Sequence, residues 1–450
     1  VGAGASPAAG AQEAPAGVAT TKGTLPDGTA YRIDLPPHWN GTVLIGLDYA
    51  GRDLMAESDA SLANRKLLEQ GYAMAGTTRT VTGWAIHLAA ANAVRTLDLF
   101  TAKYGKPKYA IQFGSSQGGH AAAVGIQAYP ERWNGAVILC GGLSGTVGQW
   151  QGKFDAMFVA RTLLAPGQDL PITGLSQDWR SSAQPAWHRV LDAAQQTPQG
   201  RARIAFAARI GQLPDWSDSS KSQPAAGDIA ARQQGLFHSL AHERNLADQA
   251  LSSRSQIETL SGGNITGNAG VDYAQLLREV DGDGLVAGLY REAGLDLQAD
   301  LAALARAPRT VADPKALAYV ASGVLDGRLQ MPVLTLNGTG DPISVVASQQ
   351  SYQAAVDAAG RTPLLRQVYT ASAGHCSFAP AETIAAVQTL SQRLDSGSWP
   401  DTSAAAMNRR ANAAAPGAAR FIDYTPPRFL RPYGPADLAR ALAGSDFKPR

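Results

Sequence analysis

Gly114-Ser115-Ser116-Gln117-Gly118 lies within YAIQFGSSQGGHAAAVGIQA (residues 109–128), and this stretch decides the fold. Residues 109–113 are a short, mostly apolar run that predicts a strand. Residues 117–128 are rich in Ala and Gly and predict a helix. Between them a G-x-S-x-G pattern turns the chain sharply and exposes a serine hydroxyl above a sheet. The flanking glycines let backbone and helix pass close to that serine. The helix N-terminus beneath it offers a positive dipole end where an oxyanion would form. Five residues with two fixed glycines recur by chance. The strand–turn–helix context is what separates this one from an ordinary Gly/Ser turn.

Outward from the turn, strands and helices alternate. Residues 20–34 read as a hairpin around Pro26-Asp27-Gly28. Strands are predicted over 42–47, 72–77 and 135–140, with helices over 57–70 and 82–104. The longer helix sets Ile86, Ala90, Val94 and Leu97 on one face and stops at Gly105 and Pro107. After Gly142 the rhythm breaks. Residues 143–330 carry no strand pattern and read as helices joined by Pro-, Gly- and Ser-rich loops. A strand over 332–336, a helix over 345–358, a strand over 364–369 and a helix over 380–394 restart it. This spacing predicts an α/β fold with a mostly parallel central sheet flanked by helices. The expected division is 18–142 and 331–395 for one core, 143–330 for an inserted helical cap, and 396–450 for a loop-rich segment wrapping the core.

The 450 residues are 45% hydrophobic and 17% charged, a globular composition. Lys and Arg number 39 against 37 Asp and Glu. No basic stripe stands out, so no nucleic-acid partner is expected. No apolar run reaches the ~18 residues of a membrane span, so no membrane association is expected either. The sequence starts at Val1, and residues 1–17 are mostly Ala, Gly and Pro. That predicts a disordered N-terminal segment of a processed chain, and a secreted or periplasmic protein.

A serine hydroxyl needs a base to act as a nucleophile at neutral pH. Of the seven histidines, His375 follows the last strand in Ala373-Gly374-His375-Cys376-Ser377. Asp341 follows the strand before it, in Asn337-Gly338-Thr339-Gly340-Asp341-Pro342. Both therefore fall at C-terminal ends of parallel strands, where such sheets build their sites. Ser116 is the expected nucleophile, His375 the general base and Asp341 the acid that orients it. A loop histidine and a turn aspartate without roles are the plainer alternatives.

The three motifs and their order, Ser then Asp then His, resemble the α/β-hydrolases. Residues 18–142 and 331–395 are similar to the core of that fold, and 143–330 to the cap inserted after its sixth strand. Cys376 beside His375 resembles the tannase and feruloyl esterase family, where cysteines beside the catalytic Ser and His form a disulfide. Here Ser115, not Cys, precedes the nucleophile. The resemblance implies an oxyanion hole of two amides. One is that of Gln117. The other comes from the loop after the third strand, Asp48-Tyr49-Ala50-Gly51, and is assigned to Tyr49, whose ring could instead pack at the pocket mouth. Cys140 and Cys376, the two cysteines of the chain, are expected to form a disulfide. Cys140 ends a strand at the active-site edge, and the His375 loop must reach over that same edge.

His238 and His242 have an i, i+4 spacing that can hold a metal. Ser239 stands where a zincin has Glu, and no third ligand is evident, so neither metal nor cofactor is expected. Asp281-Gly282-Asp283-Gly284 hints at a calcium loop, but Tyr290 falls at the twelfth position, where Glu is required. It reads as a turn. Trp84 and Trp150 follow strand ends and are candidates to line a substrate pocket. The expected function is a secreted hydrolase that cleaves a small-molecule or oligomeric carboxylic ester through an acyl-enzyme. The alternatives are a secreted peptidase or amidase of the same fold, and a non-catalytic binding protein on a hydrolase scaffold. A peptidase would need a cap carboxylate such as Glu243, Asp272 or Glu279 to hold a free amino terminus.

Overall fold

A computed structural model describes residues 15–175, 177–415 and 419–449. Residues 1–14, most of the segment expected to be disordered, lie outside the described residues. The sheet has nine strands: β1 (Ala19–Thr24), β2 (Ala30–Leu35), β3 (Thr42–Leu47), β4 (Ala73–Thr77), β5 (Tyr109–Ser115), β6 (Gly135–Leu139), β7 (Val333–Gly340), β8 (Leu365–Ala373) and β9 (Phe421–Ile422). Their order across the sheet is β1-β2-β4-β3-β5-β6-β7-β8-β9. The run from β4 to β8 is parallel. The hairpin β1–β2 and the two-residue β9 add antiparallel edges. The protein is thus an α/β fold with a mostly parallel sheet, of the α/β-hydrolase type.

Both faces of the sheet are covered, which is why its strands are apolar on both sides. On one face pack α1 (Asp59–Glu69) and, nearer the C-terminus, the helix Pro380–Ser396. On the other pack α2 (Ile86–Tyr104), α3 (Gln117–Ala128) and the helix Ala347–Ala358. Ser58 caps α1 by accepting from Ser61 N at 3.2 Å, two residues later than the start read from the sequence. Residues 82–85 form a turn before α2 rather than its first turn.

Between β6 and β7 the regular elements among the described residues are all helical. They begin with α4 (Gly145–Leu164) and end with the short helix Pro314–Tyr319 and a 3-10 turn at Ala321–Gly323. This insertion has its own apolar core around Phe158, Trp187, Phe206 and Tyr290.

β7 runs four residues further than its apolar run suggests, through Asn337-Gly338-Thr339-Gly340. Those glycines read as a loop but serve close packing. A Cβ on Gly338 would come within 2.6 Å of Ser372 Oγ, and one on Gly340 within 2.3 Å of Trp216 O. The register shifts between Gly338 and Gly340, the pairing with β8 resumes at Gly340 and Ala373, and the chain then turns into Asp341.

Candidate active site

The parallel strands deliver their C-terminal ends to one edge, and the candidate residues stand there. Ser116 sits between β5 and α3 with φ 56° and ψ −122°, a conformation that strains a residue bearing a Cβ. Backbone bonds hold it: Ser116 N donates to Leu139 O, and His120 N donates to Ser116 O, each at 3.0 Å. The flanking glycines allow the turn. A Cβ on Gly114 would come within 2.3 Å of Gly118 O, and one on Gly119 within 3.0 Å of Gly141 Cα. Six non-glycine residues take positive φ among those described, and four of them, Asp48, Ser116, Cys140 and Cys376, sit at these strand ends. Strain gathered in one place in this way marks a functional site.

Ser116 Oγ lies 2.7 Å from His375 Nε2. His375 Nδ1 lies 2.9 and 2.8 Å from the two oxygens of Asp341. A carboxylate only accepts, so Nδ1 carries the proton and Nε2 is left as the acceptor facing the serine hydroxyl. Asp341 has no exposed surface. Its burial is offset by three backbone donors besides the histidine: Ile343 N (2.8 Å), Ser344 N (2.9 Å) and Cys376 N (3.2 Å).

Cys140 and Cys376 form a disulfide, with Cα atoms 5.4 Å apart. It ties the residue after His375 to the end of β6. The atoms of Cys140, Cys376 and Asp341 gather within 4.8 Å, but both sulfurs are spent on each other and offer no thiolate. His238 and His242 stack with ring centroids 4.3 Å apart, and His238 Nδ1 lies 2.7 Å from Ser217 Oγ. Asp281 accepts from Val286 N and Ala287 N, and Asp283 pairs with Arg209 and Arg232, which makes this stretch a helix-capping turn.

Gln117 opens α3 directly after Ser116. Its side chain is held at both ends: Nε2 donates to Gly83 O, and Oε1 accepts from Arg79 Nη1. Tyr49 follows β3, but its ring is buried in the core, and its hydroxyl donates to Asp34 at 2.6 Å. It also borders a cavity that Leu47, Ser115 and Cys376 line. Trp84 and Trp150 meet edge to face with centroids 5.6 Å apart. Trp150 is only 1% exposed, so of the two only the partly buried Trp84 presents surface.

Sequence reasoning missed Lys153. It is buried on α4 and donates to Ile343 O at 3.0 Å, within the same turn whose amides hold Asp341. Burial pushes its ammonium down to about 8, against the pull of Asp341. A lysine on a helix that also carries Gln149, Gln151, Asp155 and Arg161 gave no signal of this, because its partner lies 190 residues away.

Comparison with known proteins adds the family. Residues 24–206 match a tannase-like family of unknown function (DUF6351). Over 432 residues the chain is 32% identical to an o-phthalyl amidase of Xanthobacter agilis, covering 89% of this chain and 93% of that one. Among solved structures, it is similar to an esterase from Aspergillus oryzae at 12% identity and a TM-score of 0.39, covering 83% of this chain and 78% of the other. Candida antarctica lipase A in its closed state shows 13% identity and a TM-score of 0.39, over 94% and 86%.

Proposed function

The chain belongs to the same family as that o-phthalyl amidase, a tannase-like family of α/β-hydrolases, and from this premise we propose that it is a serine hydrolase cleaving a carboxylic ester through an acyl-enzyme. One observation carries the reading: His375 bridges Ser116 Oγ and the Asp341 carboxylate at hydrogen-bond distance on both sides. Ser116 Oγ attacks the acyl carbon as His375 Nε2 takes its proton. The amides of Gln117 and Tyr49 receive the oxyanion. Asp341 stabilises the imidazolium, which then protonates the leaving alcohol. A water deprotonated by His375 releases the acid and restores Ser116. The helical insertion, with Trp84 at its border, selects the substrate.

An amide substrate is the second reading, and the amidase relative favours it. A leaving amine would take its proton from the same imidazolium, so the triad alone does not separate the two. The disulfide supports a secreted or periplasmic location, since such bonds persist in oxidising compartments.

The test compares p-nitrophenyl acyl esters, phthalyl anilides and aminoacyl nitroanilides on the parent and on Ser116→Ala. The parent should turn over esters, and the variant should keep no more than the residual rate that binding and an oxyanion hole give without a nucleophile. Turnover of anilides without esters would replace the ester by the amide reading. Ester turnover that survives Ser116→Ala would end both.

A further inference from the structure

Arg79 follows the end of β4, and the strand order β4-β3-β5 sets it beside two neighbouring strand ends. Its guanidinium reaches both. Nε donates to Asp48 Oδ1 at 2.7 Å and Nη2 donates to Asp48 Oδ2, a two-pronged grip on the residue that follows β3. Nη1 donates to Gln117 Oε1, the side chain of the residue that follows the nucleophile. The residues it grips are Gln117 itself and Asp48, the residue before Tyr49. Gln117 is one of the positions assigned above to the oxyanion amides, and Asp48 directly precedes the other, Tyr49.

The Asp48–Tyr49 segment is held from two sides. Asp48 has φ 73°, a left-handed conformation that is unfavourable for most Cβ-bearing residues and less so for Asp, and contacts to its side chain help to hold it. Tyr49 is anchored from below by its hydroxyl on buried Asp34. Arg79 anchors Asp48 from the solvent side. The same guanidinium fixes the Gln117 side chain, whose Nε2 also donates to Gly83 O.

The Arg79 and Asp48 side chains are 43% and 28% exposed. An ion pair that open to water contributes little to stability. Its use is geometric: three forked contacts set the distance between two strand-end loops, something a point-charge lysine would reproduce only in part.

We propose that Arg79 is a positioning residue that sets the spacing of the two oxyanion amides by clamping Asp48 and Gln117. The proposal rests on the serine-hydrolase reading and deepens it. The clamp acts on transition-state charge and not on substrate binding, so its loss falls on kcat.

The experiment measures kcat and KM with an uncharged p-nitrophenyl ester and with one bearing a carboxylate, affinity for an arylboronic acid that forms a tetrahedral adduct, and Tm. The proteins are the parent, Arg79→Met, Arg79→Lys and Asp48→Asn, with Ser116→Ala as control. Arg79→Met should lower kcat about 10- to 100-fold, part of what losing a whole oxyanion donor costs. KM should stay within about threefold, boronate affinity should fall in parallel with kcat, and Tm should barely move. Arg79→Lys should fall between. Asp48→Asn opens the same clamp from its other side, with a residue that tolerates left-handed φ. It should lower kcat in the same direction, which keeps the test open if Arg79→Met folds poorly. A kcat within twofold of the parent in both Arg79→Met and Asp48→Asn would overturn the proposal. So would a loss seen only as raised KM for substrates bearing a carboxylate, because Arg79 would then be a substrate-anion site. Ester turnover surviving in Ser116→Ala would instead overturn the underlying reading.

Discussion

At the scale of single residues, Asp341 shows how a buried carboxylate can be specified by its donors. Asp341→Asn keeps one acceptor oxygen for Ile343 N and Ser344 N, but turns an amide NH2 toward His375 Nδ1–H and Cys376 N–H. Two donors then face each other, and the imidazole is driven to the wrong tautomer. We expect kcat to fall by about 10³- to 10⁴-fold while the circular dichroism of the folded protein persists. A loss of only a few-fold would place the orienting acid elsewhere. His120, on α3, gives a stability prediction. It is fully buried, with Nε2 2.7 Å from Thr146 Oγ1, and burial pushes its pKa down to about 4 from 6.5. The folded state thus resists protonation that the unfolded state accepts. The stability this residue contributes is fully present above pH 6.5 and is lost as pH falls toward 4, a difference of about 3 kcal/mol. His120→Gln should flatten the fall of Tm between those pH values, and parallel curves for parent and variant would contradict this. Ser116, His375 and Asp341 were legible because each carries a local motif on a recognisable element. Arg79 and Lys153 were not, because each acts through partners from distant segments and neither sits in a motif.

At the scale of elements, the two cysteines join strand ends that the sequence separates by 236 residues. Their positions could be anticipated because Cys140 ends a strand with a clear apolar pattern and Cys376 adjoins His375 in the loop after the last parallel strand. Closing so long a loop limits the unfolded chain by about 5 kcal/mol on a chain-entropy estimate. It also tethers the His375 loop to β6, where small displacements are costly in rate. We expect dithiothreitol to abolish ester turnover at concentrations that leave helix content unchanged, because the loop loosens before the core melts. Simultaneous loss of both signals would show the bond serving global stability alone. The strands β3 to β6 were legible from apolar runs bounded by turn residues. The end of β7 was not, because Asn337-Gly338-Thr339-Gly340 has loop composition, and the packing that overrides it comes from Trp216 and Ser372. β9 has two residues and therefore no period to read.

At the scale of the whole molecule, a sheet edge carries Ser116, Asp341 and His375, a helical insertion lies between β6 and β7, and the C-terminal segment stitches the two together. Arg431 reaches from that segment into the insertion, donating to Asp155 at 2.8 Å and to Gly267 O at 2.8 Å. Burial pushes Asp155 up to about 6 despite this partner, so the pair positions the segment more than it stabilises the fold. The alternation of strands and helices announced the sheet and its interruption, since periodicity is a local signal. It could not announce which tail residue enters which cavity, or that β4 would lie between β2 and β3, because those are choices among distant partners. The central claim is that Ser116 is the nucleophile made reactive by His375. It is tested most directly by reacting the native protein with a fluorophosphonate and mapping the adduct by peptide mass spectrometry. The account predicts one adduct, on Ser116, whose formation is strongly slowed in His375→Ala; an adduct on Ser115, or none in an otherwise active protein, would contradict it.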